Sequence, residues 1–369
     1  MDAREQRAWL RLSLTEGLGP RAARGLLSAF GLPGAIFDAG RAAVARVAGE
    51  AAAGALLAPE PAGAIDRALA WLESGSARSL ITLADPDYPP LLLQLSDPPP
   101  MLYLQGRREL LGRTALAIVG SRSASRQGEA NAEAFASLLA AWGLTIVSGL
   151  ARGIDAAAHR GALAAEPATI ALLGTGADVV YPSSNRALAE RIAQHGLLVS
   201  ECPLGTKALA HNFPRRNRLI AALARGVLVV EAALHSGSLI TARLAAELGR
   251  DVMAIPGSIH SPVARGCHRL IRDGARLVES AQDVLEELRI CAFAPGGASA
   301  DRSSAAPPGA KEGDDALLQS IGYDPVDLDT LAQRTGVEPG ALAARLLELE
   351  LTQDVERLPG NRYQRLRPH

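Results

Sequence analysis

A chain of 369 residues has room for about two or three domains and a large hydrophobic core. Lys and Arg number 38 and Asp and Glu 39, so the net charge of −1 removes any argument for nucleic-acid binding from overall basicity. The total charge does not exclude a local basic patch. Cys202, Cys267 and Cys291 form no CxxC motif and no Cys/His pair, which argues against a zinc cluster and a disulfide framework and predicts a reduced, intracellular protein.

The N-terminal sequence predicts neither export nor membrane insertion. Residues 1–10 lack the apolar core of a secretory signal, and no apolar run approaches the ~20 residues of a membrane helix. We therefore expect a cytoplasmic protein with no membrane partner. No spacing of His, Cys or acidic residues suggests a metal site, and the nicotinamide fingerprint is missing, so we predict no metal and no cofactor.

Residues 1–75 are predicted to form a helical domain of the SAM or helix-hairpin-helix type. Gly17-Leu18-Gly19-Pro20-Arg21 separates two apolar-periodic stretches, as in a helix–turn–helix pair. Such a turn can bind DNA phosphate through its amides. Only Arg21 and Arg24 supply positive charge here, so a turn that serves packing is the favoured interpretation. The prolines of residues 76–112 then predict turns and extended edges.

From Leu116 onward, apolar runs alternate with glycine-containing turns and amphipathic helices. The predicted strands are Leu116–Val119, Leu144–Val147, Thr169–Leu173, Leu197–Val199, Val227–Val230 and Val252–Ile255. Predicted helices include Glu129–Ala141, Arg186–Gln194 and Leu239–Leu248. This alternation indicates an α/β domain over residues 76–291, with a doubly wound, mostly parallel sheet that binds its ligand at the carboxyl ends of the strands.

The end of the chain predicts a linker and a winged helix. Residues 292–313 are rich in Pro, Gly, Ser and Ala, which is typical of a linker. Residues 314–369 read as three helices, Asp315–Ile321, Leu328–Gln333 and Ala341–Leu349, followed by a hairpin that turns at Pro359-Gly360-Asn361. With 11 acidic and 6 basic residues between 312 and 369, this module would repel a phosphate backbone, so protein contact is favoured over DNA contact.

Turns with glycine, serine and arginine follow several predicted strands. Such turns at a helix start present backbone N–H groups to an anion, and arginine adds a fork that suits phosphate. Two adjacent turns with an arginine each predict one anion site. The residues are Gly120, Ser121 and Arg122 after the first strand, Ser148, Gly149, Arg152 and Gly153 after the second, and Ser236, Gly237 and Ser238 after the fifth.

The basic stretch from Lys207 to Arg225 contains five Lys and Arg and no acidic residue. Within it, Phe213-Pro214-Arg215-Arg216-Asn217-Arg218 sets an aromatic ring beside three arginines at a predicted helix start. A base can stack on Phe213 while the guanidinium groups take phosphates, as in single-strand binding. Alternatively, Phe213 fills the core at a solvated helix start.

An enzyme is the less favoured interpretation. Glu231, Asp155, Asp178 and His159 are candidate acids or bases, but no nucleophile–base pair or paired carboxylates can be assembled from their spacing. A nucleoside monophosphate phosphoribohydrolase is the alternative. Its Pro-Gly-Gly-x-Gly-Thr-x-x-Glu loop does not occur in the sequence. A pure interaction scaffold is a third possibility.

Taken in order, the motifs resemble those of the DNA-processing protein A family (DprA, also called Smf). They are Asp85-Pro-x-Tyr88-Pro89, Asp97-Pro-Pro, Leu102-Tyr103-x-x-Gly106, Gly120-Ser121-Arg122, Ser148-Gly149-x-Ala151-Arg152-Gly153-Ile154-Asp155, Phe213-Pro214-x-Arg216-Asn217-Arg218, Glu231-Ala232 and Ser236-Gly237-Ser238-Leu239-x-Thr241-Ala242. One departure is His268, where the family typically has Asn.

The resemblance implies an extended Rossmann-like fold and a non-catalytic homodimer that binds single-stranded DNA, protects it, and loads the RecA recombinase during natural transformation. It implies that Ser121, Arg122, Phe213, Arg216, Asn217 and Arg218 line the strand-binding pocket, with Lys207 as a further basic contact.

Overall fold

The computed structural model describes residues 2–165, 168–290 and 317–366, apart from 319, 323 and 353. Contacts divide the chain into two compact units, Met1–Ala124 with Asn131–Ile290, and Ser125–Ala130 with Cys291–His369. The predicted linker, 292–313, lies outside the described residues.

Five helices precede the sheet. They are α1 Ala3–Leu14, α2 Pro20–Phe30, α3 Pro33–Asp38, α4 Arg41–Leu57 and α5 Ala62–Glu73. The glycine turn at 17–19 joins α1 to α2, and both nearby arginines bond within the chain: Arg21 to Ser96 Oγ at 3.0 Å and Arg24 to the Leu95 carbonyl at 3.1 Å. These bonds favour the packing interpretation of this turn. The division at residue 75 stays a prediction.

A nine-stranded sheet forms the centre of the first unit. Its strands are β1 Arg78–Thr82, β2 Met101–Gly106, β3 Ala115–Val119, β4 Thr145–Ser148, β5 Thr169–Leu172, β6 Leu197–Ser200, β7 Gly226–Val229, β8 Asp251–Ala254 and β9 Arg276–Leu277. The helices among them are α6 Arg126–Ala141, α7 Ile154–Ala164, α8 Arg186–His195, α9 Asn212–Leu223, α10 Gly237–Glu247, α11 Arg265–Arg272 and α12 Ala281–Glu287.

The strand order is β1-β2-β6-β5-β4-β3-β7-β8-β9, and β3 to β9 pair in parallel. In the same sheet β1 pairs antiparallel with β2, and β2 pairs antiparallel with β6, so these two strands extend the sheet beyond β6. This confirms the predicted mostly parallel α/β fold. The strands β4 to β6 are added on one side of β3, and the strands β7 to β9 are added on its other side. The strand order therefore changes direction at the boundary between β3 and β7. Ligands of open α/β sheets bind at such a switch point.

Both faces of the sheet are covered. Apolar side chains of α6, α7 and α12 pack on one face, and those of α9, α10 and α11 pack on the other. The N-terminal helices share a core with β1 and β2, in which Trp71 meets Tyr103 edge to face at 5.9 Å. Two-sided burial explains why the strands appear in the sequence as continuous apolar runs.

The second unit contains a three-stranded antiparallel sheet, Val326–Asp327, Val355–Leu358 and Arg362–Arg365, and the helices Leu328–Thr335 and Pro339–Leu351. These elements match the predicted helices and hairpin. The predicted helix Asp315–Ile321 lies partly outside the described residues.

Within the described ranges, no single helix combines the length and apolar composition of a membrane span. The helices α4 and α5, which are bent by 85° relative to each other, have that length and composition only when they are taken together.

His159 lies in the core beneath the sheet and is fully buried. Its Nδ1 is 2.7 Å from Thr169 Oγ1, which in turn donates to the Ile146 carbonyl, so the imidazole donates through Nδ1. Its Nε2 has no hydrogen-bond partner among the described residues. Burial lowers the pKa of His159 to about 3.

This burial predicts a pH-dependent stability. The folded protein holds a neutral imidazole, whereas the unfolded chain takes up a proton below about pH 6.5. The free energy of unfolding should therefore fall as the pH drops from about 6.5 toward 3, by up to ~1.4 kcal/mol per pH unit from this group. The free energy of unfolding, measured with urea, should fall less between pH 7 and pH 5.5 in His159→Gln than in the wild type. The control is His211→Gln, which replaces an exposed histidine and should leave that fall as it is in the wild type. If His159→Gln behaved like this control, the prediction would be contradicted.

Candidate nucleic-acid interface

A cavity of about 530 Å³ lies at the carboxyl edge of the sheet, at the switch point between β3 and β7. Half of the residues predicted for DNA contact line it, and they come from three separate chain segments. They are Gly120, Ser121 and Arg122 after β3, Arg216 and Asn217 in α9, and Ser236, Gly237 and Ser238 where α10 begins. The structure thus brings the first and last predicted turns together at one site.

The walls of this cavity favour an anion. The helix α10 begins at Gly237 with Ser236 as its cap, so the positive end of the helix dipole faces the cavity. Arg122, which is exposed, lines the same space. A guanidinium beside a helix N-terminus is a suitable environment for phosphate.

Arg216 lies beneath the cavity rather than in the open, because only 4% of its surface is exposed. Its Nη1 donates to the Gly149 carbonyl at 2.7 Å and also to the Leu172 carbonyl. Burial lowers the pKa of Arg216 to about 10, which leaves the guanidinium charged at neutral pH. One cation therefore connects the carboxyl ends of β4 and β5 and contributes positive charge from below.

Asp155 holds the same turn from its amide side. Its Oδ2 accepts from the Gly149 amide at 3.1 Å and the Ala151 amide at 3.4 Å. Burial raises the pKa of Asp155, and the positive charge of Arg216 opposes that rise. These amides, expected to face a ligand, therefore bind a carboxylate of the protein itself.

The other residues of this second turn also serve the fold. Ser148 Oγ donates to the Ile118 carbonyl at 2.7 Å. Gly153 has φ +71°, and a methyl group there would lie 2.3 Å from the Ser121 carbonyl oxygen, so only glycine permits this approach of the two turns. Arg152 is exposed and does not line the cavity. The second turn thus supports the first instead of forming a second anion nest.

An aromatic pair lies beside the cavity. Phe213 is half-buried, and the guanidinium carbon of Arg122 is 5.6 Å from its ring centre. The ring of Tyr181 lies 5.5 Å from that of Phe213, at an angle of 43°. The sequence interpretation missed Tyr181, although it follows the Gly174-Thr175-Gly176 turn at the same sheet edge.

The remaining basic residues differ in accessibility. Arg218 has a side chain only 10% exposed, and its Nη2 lies 2.5 Å from Glu201 Oε2. Arg215 is half-exposed and approaches the same carboxylate at 3.4 Å. Lys207 lies exposed in the loop before α9. The structure places Arg218 in the fold, where an acid neutralises it, and leaves Lys207 and Arg215 at the surface.

The candidate acids and bases have structural partners. Asp178 accepts from the Gly205 amide at 2.8 and 2.9 Å, and Asp155 and His159 are buried as described. His268 Nε2 lies 2.8 Å from the Gly257 carbonyl oxygen, so its ring is anchored locally. In the part of the chain that the structure describes, no three His, Cys, Asp or Glu residues are grouped to hold a metal ion.

The parallel sheet, the switch-point cavity and its anion-favouring walls define a Rossmann-type ligand-binding protein with a winged helix appended. The sequence model of the family described as DNA recombination-mediator protein A matches residues 79–289, and that of the DprA winged helix domain matches residues 301–361. The chain belongs to the DNA recombination-mediator protein A (DprA/Smf) family. This confirms the resemblance seen in the motifs.

Relatives extend the match over most of the chain. Protein Smf of Escherichia coli (strain K12) is 43% identical over 314 residues, which are 83% of this chain and 82% of that protein. The crystal structure of DprA from Streptococcus pneumoniae is similar with a TM-score of 0.65 and 38% identity, over 78% of this chain and 98% of that one. The structure of DNA processing protein A from Helicobacter pylori is similar with a TM-score of 0.52 and 32% identity, over 57% of this chain and 95% of that one. That structure is described as giving insight into a unique single-stranded DNA binding mode of the Helicobacter pylori protein.

The placement of the two cavity arginines predicts that their removal affects stability to very different extents. Arg216→Ala leaves two buried carbonyls without their donor and Asp155 without its cation, and should lower the free energy of unfolding by about 3–5 kcal/mol. Arg122→Ala removes an exposed side chain and should change it by less than about 0.5 kcal/mol. Arg216→Lys keeps the charge but lacks the fork, so it should fall between them. Urea unfolding measures all three, and an Arg216→Ala protein as stable as the wild type would contradict the structural role.

Proposed function

We propose that this protein binds single-stranded DNA along the carboxyl edge of its sheet, with backbone phosphate in the switch-point cavity. The observation that carries the proposal is the cavity itself, with Arg122 and the start of α10 in its wall and the buried Arg216 beneath. Contacts to phosphate carry no sequence information and release counterions, so binding should be sequence-tolerant and sensitive to salt.

Preference for single strands follows from the aromatic pair next to the cavity. The pair formed by Tyr181 and Phe213 exposes ring surface to a base that has left its partner, whereas duplex DNA keeps its bases stacked inside. The relative from Helicobacter pylori, described by its single-stranded DNA binding mode, supports this assignment.

We propose that the bound strand is not altered chemically. Asp155 and Asp178 accept hydrogen bonds from backbone amides of two loops, and His159 is hydrogen-bonded to Thr169 in the core. The one hydroxyl among their partners in the described part of the chain, that of Thr169 beside His159, is fully buried and donates to the Ile146 carbonyl, which supports a binding protein over a phosphoribohydrolase. Absence of nucleoside monophosphate turnover by the purified protein is the expected result.

We further propose that the protein protects incoming DNA in the cytoplasm and loads the RecA recombinase onto it during natural transformation. The family description, a recombination mediator, supports this step. A homodimer is also proposed. A groove of about 750 Å³ beside the edge strand β9, bordered by the exposed Leu234 and Ile240, supports a contact between copies on that side of the first unit.

For the winged helix, we propose contact with protein rather than DNA. Arg345, on the helix that would enter a DNA groove, lies 2.6 Å from Glu348, so its charge is compensated. Leu347 and Leu351 on the same helix are 57% and 77% exposed. Exposed leucines suit a protein partner, and the acidic residues beside them repel phosphate.

The DNA-binding proposal predicts a specific effect of Arg122→Ala. Fluorescence anisotropy of a labelled oligo-dT, titrated at several salt concentrations, should show weaker binding and a log–log salt slope smaller by about 0.7, the value for one lost contact to a single-strand phosphate. Arg160→Ala is the matched control, since Arg160 lies on α7 and pairs with Glu133 at 3.2 Å. Equal affinity and slope for Arg122→Ala and wild type would exclude this cavity as the DNA site.

Adding RecA to the same oligonucleotide tests the recombinase step separately. The protein should speed assembly of RecA on oligo-dT, and Arg122→Ala should lose that effect together with DNA binding. DNA binding without any effect on RecA assembly would leave the strand-binding proposal intact and contradict loading.

A further inference from the structure

We propose that Tyr181, rather than Phe213, is the residue on which an unpaired base stacks. This inference rests on the proposed function and names a residue that recognises the unpaired state of the strand. The surroundings of the two rings differ, although the rings are in contact.

Little room is left on the Phe213 ring. The guanidinium carbon of Arg122 lies 5.6 Å from its centre. Flat groups pack at about 3.5–4.0 Å between carbon atoms, so a base inserted between ring and guanidinium would need about 7 Å. Arg122 therefore covers this ring in the described state and blocks a base from that side.

The rest of the Phe213 ring is held by its neighbours. A methyl group on Gly174 would lie 2.8 Å from Phe213 Cδ1, so the Gly174 backbone packs directly against the ring. Tyr181 approaches from another direction, with ring centres 5.5 Å apart. Phe213 is thus a supporting residue between a turn, a cation and a second aromatic ring.

Tyr181 has the open surface that Phe213 lacks, since 49% of it is exposed. Its loop is fixed at several points. Asn185 Nδ2 donates to the carbonyls of Leu150 and Ala151 at 2.9 and 3.2 Å, and Thr175 Oγ1 donates to the Val179 carbonyl at 2.6 Å. An exposed ring on a held loop loses little freedom when a base stacks on it.

Arg122 connects the two parts of the site, because it lines the cavity and lies over Phe213. A strand with one phosphate in the cavity passes Arg122 and reaches Tyr181 next. The geometry therefore assigns charge to Arg122, support to Phe213 and base stacking to Tyr181.

The test compares Tyr181→Leu, which removes the π-face but keeps an apolar side chain, with Tyr181→Phe, which keeps the ring. Affinity for oligo-dT should fall between about five-fold and 150-fold in Tyr181→Leu, the cost of one lost base stack, and stay within two-fold in Tyr181→Phe. The salt slope should not change, because no phosphate contact is lost. Trp142→Leu controls for removal of an exposed ring, since Trp142 follows α6 at the opposite edge of the sheet and is 37% exposed.

A second readout is independent of affinity. An oligo-dT with 5-iododeoxyuridine at single positions should, on irradiation, cross-link to Tyr181 in the full-length protein. Cross-links to Phe213 alone, or wild-type affinity in Tyr181→Leu while Arg122→Ala loses binding, would overturn the stacking role and leave the proposed function standing. A wild-type protein that does not retain oligo-dT at low salt would overturn both.

Discussion

One buried guanidinium holds the site together. Arg216 donates to the carbonyl groups at the ends of β4 and β5, while Asp155 takes the amides of the same Gly149 turn. A charge buried without partners would be costly, and here two carbonyls and a nearby carboxylate offset that cost. Because the turn is fixed from both sides, Gly153 can approach Ser121, and the cavity wall above has a defined shape. Of the arginines that line the cavity, Arg216 is buried and Arg122 is exposed, and the start of α10 adds the positive end of its dipole.

The fold could be predicted from the sequence because its determinants are local. Strands buried on both faces leave continuous apolar runs, and each crossover to a parallel neighbour needs a glycine-containing turn and a helix. Leu197–Val199 and Val227–Val230 were therefore predicted within one residue of the observed strands, Leu197–Ser200 and Gly226–Val229. The antiparallel addition of β1 and β2 was not predicted, because proline-rich segments indicate turns but not the strand they pair with.

Predictions about the site were less complete, because burial of an arginine is a tertiary property. Arg215, Arg216 and Arg218 are adjacent in the sequence, yet one is half-exposed, one lies under the cavity, and one is neutralised by Glu201. Helical periodicity separates their directions but does not show which direction meets an acid seventeen residues earlier in the chain. Tyr181 was missed for a related reason, since a lone aromatic in a loop gains meaning only when Phe213 is seen against it.

The most direct test of this account is hydrogen–deuterium exchange of the full-length protein with and without oligo-dT. Binding through the sheet edge predicts slower exchange of the amides at 120–123 and 236–239, together with the loop that carries Tyr181, and no change in the helices α1–α5. Protection confined to residues 317–366 or to the N-terminal helices, with the switch-point turns unaffected, would contradict the central claim that the prearranged cavity holds the strand.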